Sequence, residues 1–154
     1  MALAAAVWDQ VPLPVEHAVG LTTGLLLGRL VPAPRLPAGS RSGGLLLVAA
    51  GIGLNAWAVA ARRGEAIERP RLLVTDGPQA WSRNPMYVGW SLLHVGLGLV
   101  LRSPWVLATW PPALARVHQQ VLREERDLAV RFGPDFTDYR ERVPRYVPVR
   151  RRGT

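Results

Sequence analysis

Residues 81–90 read WSRNPMYVGW, an Arg-Asn-Pro-x-Tyr-x-Gly string that ends where an apolar run, Ser91 to Leu101, begins. Pro85 suits the first turn of a helix, because its missing N–H is one that a helix start leaves unbonded anyway. The preceding Asp76-Gly77-Pro78 reads as a turn, and Tyr87 and Trp90 suit the aromatic belt at a membrane–water interface. On helical spacing, Tyr87, Ser91, His94 and Gly98 fall at i, i+4, i+7 and i+11. One face of the helix then carries three polar groups and a gap, which reads as the lining of a cavity.

Working outward, four blocks are apolar enough to cross a bilayer: Val15–Val31, Gly43–Ala61, Pro85–Leu101 and Pro104–Leu122. Each lies near the lower end of the ~17 to 25 residues that a spanning helix needs. Glu16, His17, Asn55, His94, Arg116 and His118 sit inside these blocks, and such groups face the interior of a membrane bundle. The fold expected is all-α: a polytopic helical membrane protein of about four transmembrane helices plus a folded C-terminal cytosolic tail. A soluble bundle would lack the polar surface to cover four such blocks.

The 154 residues fit one domain, with residues 1–61 as two scaffold helices and residues 73–148 as the core. Gly20, Gly24 and Gly28 form a doubled G-x-x-x-G stripe, and Gly51 and Gly53 enrich the second block. Such stripes let backbones approach, and would serve the packing of the first two helices or a homodimer equally well.

All 19 cationic residues are Arg, and the formal net charge is +8. They gather at the edges of apolar blocks and not along polar segments, which favours membrane lipids over nucleic acid. Arg62, Arg63, Arg69, Arg71, Arg83 and those from Arg123 onward fall on one side, and Arg29, Arg35, Arg41 and Arg102 on the other, so both termini are expected in the cytosol. Exclusive use of Arg points to a GC-rich genome, hence to a bacterial inner membrane. There is no Cys, which excludes disulfides and thiolate metal sites, and no His-rich spacing suggests a metal. The start, MALAAAVWDQVPLP, lacks the cationic region of a secretory signal and reads as a short mature lead-in. Trp110-Pro111-Pro112 should kink the fourth block, and Arg102-Ser103-Pro104 leaves room only for a tight hairpin. His118 and Glu125, seven apart, share a helical face, so an acid and a base would meet near the cytosolic headgroups. Gly96-Leu97-Gly98 removes two side chains, for packing or for close approach of a ligand.

The ordered set LVTDGP, SRNPMYVGW, GLG, EERDL, FGPDFTDY and RVPRYVP, from Leu73 to Pro148, resembles the membrane-embedded methyltransferases typified by isoprenylcysteine carboxyl methyltransferase, with the phospholipid N-methyltransferases as near relatives. Asn84 stands where the usual family motif, Arg-His-Pro, has His. The resemblance implies S-adenosylmethionine (SAM) bound between the third and fourth spans and the tail, with S-adenosylhomocysteine as product and a lipophilic acceptor entering from the bilayer. It implies Arg83, Glu125 and Arg142 as catalytic residues. It implies cofactor contacts from Arg83, Asn84, Tyr87, Gly89, His94, Gly96, Gly98, His118, Glu124, Glu125 and Tyr139. The acceptor stays open: an isoprenylcysteine-like carboxylate, an isoprenoid, a lipid or a small thiol. A steroid-type NADPH reductase and a non-enzymatic scaffold are the alternatives.

Overall fold

The computed structural model describes residues 15–62 and 72–147, whose regular elements are helices, with no strand among them. The lead-in at residues 1–14, the cations Arg63, Arg69 and Arg71, and the residues from 148 on lie outside the described residues. Helix α1 spans Val15–Leu30, α2 Ser40–Ala61, α3 Pro85–Val100, α4 Pro104–Ala108, α5 Trp110–Phe132 and α6 Pro134–Arg142, with a 3-10 turn at Gly77–Ala80 before α3.

Helices α2 and α3 form an antiparallel pair held by small residues. A Cβ on Gly44 would stand 2.8 Å from the Gly96 carbonyl oxygen, one on Gly51 would stand 2.7 Å from that of Gly89, and Gly89 itself lies against the Asn55 carboxamide. The axes approach until backbone meets backbone, which removes lipid or water from between them. Helix α1 does not pack on α2. Its Gly20 and Gly24 turn instead to α4, α5 and the His94 ring. The small-residue stripe is therefore used within the chain between α1 and α4, and a homodimer through it would have to displace α4.

His94 is fully buried, with Nε2 3.0 Å from the Val106 carbonyl oxygen and Nδ1 3.0 Å from Nδ1 of His17. Facing a carbonyl, Nε2 must carry the proton, so His94 Nδ1 accepts and His17 Nδ1–H donates. The two rings thus share one hydrogen bond inside the bundle, and Nε2 of His17 is left buried without a partner among the described residues.

The fourth block is interrupted at Thr109, beside Trp110-Pro111-Pro112 where a kink was expected, and Pro111 falls in the first turn of α5, which continues to Phe132. One expectation needs correction: the Tyr87–Ser91–His94–Gly98 face is not an open lining along its length, because His94 meets α1 and α4 and Gly98 lies against Leu107. The tight turn at Arg102-Ser103-Pro104 forms as expected: Arg102 takes φ 55° and the Ser103 hydroxyl accepts the Val106 N–H.

By length and composition, one described helix, α2, is able to cross a membrane; α3 is apolar but 16 residues long, about 24 Å at 1.5 Å per residue. Only 22% of the most apolar window of α2 is buried, so α2 is not the core helix of a soluble protein. Leu45, Leu46 and Ile52 on α2 and Val15, Val19 and Leu30 on α1 are exposed. So many exposed large apolar side chains on these two helices suit an apolar surround better than water.

The glycine contacts discriminate sharply between neighbours one helical turn apart. A Cβ on Gly24 would sit 2.6 Å from Val106 Cα, whereas one on Gly28 meets Ser103 Oγ at an ordinary 3.7 Å. Gly24→Ala should destabilise the protein in detergent by about 1–3 kcal/mol, the usual cost of overpacking. Gly28→Ala should leave thermal unfolding unchanged.

Candidate active site

Along α5 the buried positions are Ala113, Val117, Val121 and Glu125, a stripe repeating every fourth residue. The first three pack the bundle; the fourth carries the same inward direction past the apolar core and buries a carboxylate. A buried carboxylate must be paired and hydrogen-bonded. Glu125 obtains both from outside its helix. Arg83 donates through Nε and Nη2 to Oε1 at 3.2 and 2.9 Å, and Arg145 through Nε to Oε1 at 3.0 Å and Nη2 to Oε2 at 2.9 Å.

Arg83 precedes α3 and Arg145 belongs to the tail, so one carboxylate fastens three segments. Arg83 strengthens the closure by donating Nη1 to the carbonyls of Arg140 at 2.9 Å and Val143 at 2.7 Å, and its backbone N–H to Pro144 at 2.9 Å. Asn84 Nδ2 donates to the Arg145 carbonyl at 3.1 Å, and the Ser82 hydroxyl donates to that same carbonyl at 3.4 Å. The Ser-Arg-Asn-Pro string is thus a clasp for the tail. The tail enters it because α6 ends at Arg142 and Val143-Pro144 continues as extended chain.

Beside the clasp lies a second acid. Glu124 Oε1 accepts from the Tyr87 hydroxyl at 2.8 Å and from Gln120 Nε2 at 3.0 Å, while Oε2 carries no hydrogen bond among the described residues. One turn and a half earlier on α5, His118 Nδ1 lies 2.8 Å from the Tyr146 hydroxyl. Tyr87 packs on Val117, Val121 and Tyr146, which closes the inner wall.

The two carboxyls titrate in opposite directions. Burial works to raise that of Glu125, but hydrogen bonds from Arg145 and Arg83 and their charges outweigh it and hold the group below the usual carboxylate range. Burial pushes the Glu124 carboxyl up, and its bonds to Tyr87 and Gln120 only partly oppose this. The Tyr139 hydroxyl, pushed up to about 12 by burial, donates to the Gln79 carbonyl at 2.7 Å.

Of the expected site residues, Arg83, Asn84, Tyr87, His118, Glu124 and Glu125 gather at this end of the bundle. The others do not. Arg142 is exposed, with Nε on the Asp138 carbonyl of its own helix, and Arg145 takes the place expected for it. Gly89, Gly96 and Gly98 meet Asn55, Gly44 with Val48, and Leu107 where a side chain would be, so the close approach they permit is taken by helices and not by a ligand. His94 is enclosed by α1 and α4. Tyr139 packs with Phe136 and Val143 behind the clasp. His118 meets Tyr146 and not Glu125. Arg145 and Tyr146, which sequence reasoning left without an assigned contact, complete the cluster.

Arg83→Ala should cost about 3–5 kcal/mol, because it leaves Glu125 with one partner and two carbonyls without a donor; chemical denaturation in detergent measures it. The sign of the pH dependence follows from the depressed Glu125 carboxyl. Its contribution is present above the ordinary value of 4.5 and is lost as pH falls through the lower folded value. Thermal stability of the parent relative to Glu125→Gln should therefore be greatest above about pH 4.5 and shrink below it.

The chain is similar to known proteins in sequence and in fold. The phospholipid methyltransferase family model matches residues 40–135. The protein-S-isoprenylcysteine O-methyltransferase of Mus musculus is 36% identical over 81 residues, covering 49% of this chain and 27% of the relative. The cobalt-zinc-cadmium resistance protein CzcN of Cupriavidus metallidurans is 40% identical over 77 residues, covering 49% of this chain and 35% of that protein. The chain thus spans about a third or less of these curated relatives. A solved structure of the eukaryotic intramembrane Ras methyltransferase, isoprenylcysteine carboxyl methyltransferase, superposes with a TM-score of 0.68 at 22% identity, over 87% of this chain and 51% of that one, and so shares its fold. With more than half of its length matched by the family model, the chain belongs to the phospholipid methyltransferase family.

Proposed function

We propose that this chain is an integral membrane methyltransferase that uses SAM at the clasp end of the bundle and methylates a lipophilic acceptor admitted from the bilayer, on the cytosolic face of a bacterial inner membrane. The observation that carries the reading is the convergence of two guanidiniums, two carboxyls, two tyrosines and a histidine at one end of a bundle whose flanks are apolar. Family membership and the names of the methyltransferase relatives support it.

The residues present fit the cofactor by chemistry. Its α-carboxylate calls for a cation, and its α-ammonium for a carboxylate. Arg145, with 35% of its side chain exposed and Nη1 unbonded among the described residues, can take the first; Glu124 through Oε2 can take the second. Tyr87 and Tyr146 supply aromatic walls, and such faces favour a cation. Asn84 fixes the Arg145 backbone, while Arg83 and Glu125 position the tail. Arg83 has its donors already engaged by Glu125, Arg140 and Val143, so its role is to hold Arg145 in place.

When bound, SAM supplies an electrophilic methyl group. The chain's part is alignment, which can contribute several kcal/mol to a displacement without any proton transfer. A carboxylate acceptor needs only a cation to hold it. An amine or thiol acceptor needs a proton acceptor, and His118, free at Nε2 among the described residues, stands within the cluster.

Calorimetric titration of the detergent-purified protein tests the reading. S-adenosylhomocysteine should bind and NADPH should not. Glu124→Gln should weaken binding by about one to two decades, the loss of a charge-assisted hydrogen bond. Arg142→Ala should leave it unchanged, and truncation after Arg131, which removes the clasped tail, should abolish it. Binding of NADPH in place of S-adenosylhomocysteine would turn the assignment to a reductase.

A further inference from the structure

At the end of the bundle opposite the clasp, the end of α1, the α1–α2 connection and the α3–α4 turn border an open cleft of about 250 Å³. The two ends are separated by the length of α3, 16 residues or about 24 Å. Three arginines line the cleft, Arg29, Arg35 and Arg102, with Leu25, Leu101 and Trp105 as its apolar wall. None of the three forms a salt bridge among the described residues, although Glu125 alone holds two.

Arg102 and Trp105 are fixed in the wall of this cleft by bonds to the α1–α2 connection. Arg102 takes φ 55° at the tight turn and bonds through Nε to the Leu36 carbonyl, while the Leu36 N–H donates to the Arg102 carbonyl at 3.2 Å. These reciprocal bonds tie the α1–α2 connection across the α3–α4 turn and leave both Nη groups of Arg102 for another acceptor. Trp105 Nε1 donates to the Val31 carbonyl at 2.8 Å, which fixes the indole at the apolar wall.

Three arginines beside one cleft, with no acid pairing them among the described residues, favour an anion with several acceptor oxygens. Phosphate has that geometry. A wall of Leu and Trp beside the cations suits a phosphate attached to acyl chains, with the indole at headgroup depth. The volume holds a headgroup and leaves the chains outside against α1, whose Val19, Leu26 and Leu30 are exposed.

We propose that this cleft binds the phosphate of an anionic phospholipid, at a site separate from the clasp. A choline headgroup would present its ammonium to the same three cations, so a net-anionic lipid is favoured over a zwitterionic one. No transfer chemistry is involved: the lipid ties the α1–α2 connection to the α3–α4 turn by bridging Arg29 and Arg35 to Arg102.

The test is thermal unfolding of the full chain in an uncharged detergent, titrated with dihexanoyl phosphatidylglycerol, dihexanoyl phosphatidylcholine or inorganic phosphate. A ligand that binds the folded state raises the midpoint in a saturable manner. Phosphatidylglycerol should do so and phosphatidylcholine should not. The pair Arg29→Gln and Arg35→Gln, made together, should raise the half-saturating concentration of phosphatidylglycerol about tenfold or more. Both residues are exposed, so the unliganded midpoint of this variant serves as its folding control. Arg41→Gln, an exposed cation outside the cleft, separates site binding from general attraction and should leave the titration unchanged. Equal shifts with inorganic phosphate would assign the site to the free anion. No shift with either anion, a shift that the double variant retains, or an equal loss in Arg41→Gln would overturn the proposal.

Discussion

The carboxylate of Glu125 is the point on which this structure closes. An amphipathic stripe on α5 drives it inward at the position where the apolar core ends. Left alone there, the charge would be untenable, since burial of an unpaired carboxylate costs several kcal/mol. The chain answers with two guanidiniums from segments far apart in sequence, one just before α3 and one in the tail. The interaction gathers the helix, the corner and the tail into one end, and the neighbouring acid, Glu124, is left with an oxygen to offer.

Close approach governs the rest of the bundle. Glycines let α2 and α3 touch backbone to backbone, and let α1 settle on α4. The first pairing fixes where α3 begins relative to α2, and therefore where the Arg83 corner sits. The second brings His17 to His94, whose rings share a hydrogen bond inside the apolar interior. Helix α1 packs directly against the helices that carry the cluster.

The two ends of α3 treat cations in opposite ways. At the clasp, guanidiniums are neutralised by a carboxylate and made structural. The first arrangement organises the chain's own tail; the second leaves three cations beside a cleft without an acid among the described residues to pair them.

Much of this was legible in one dimension. Composition and apolar blocks determined an all-helical fold with membrane-type surfaces, Pro85 marked the start of α3, and Val143-Pro144 marked the end of α6, because proline and hydrophobic patterning act locally. The string at Ser82–Tyr87, with Glu124 and Glu125, was identifiable as the seat of a site through its ordered motifs. What each residue does there was not. Arg142 and Arg145 look alike in sequence, and only the exit of the chain from α6 turns the second toward Glu125 and leaves the first exposed. Glycines that could have admitted a ligand were filled by other helices, and polar residues spaced along one face of α3 met α1, α4 and α5 instead of a cavity. Helical spacing says which residues share a face, but the partner of that face is set by packing between distant segments, and that was decided by the tertiary structure.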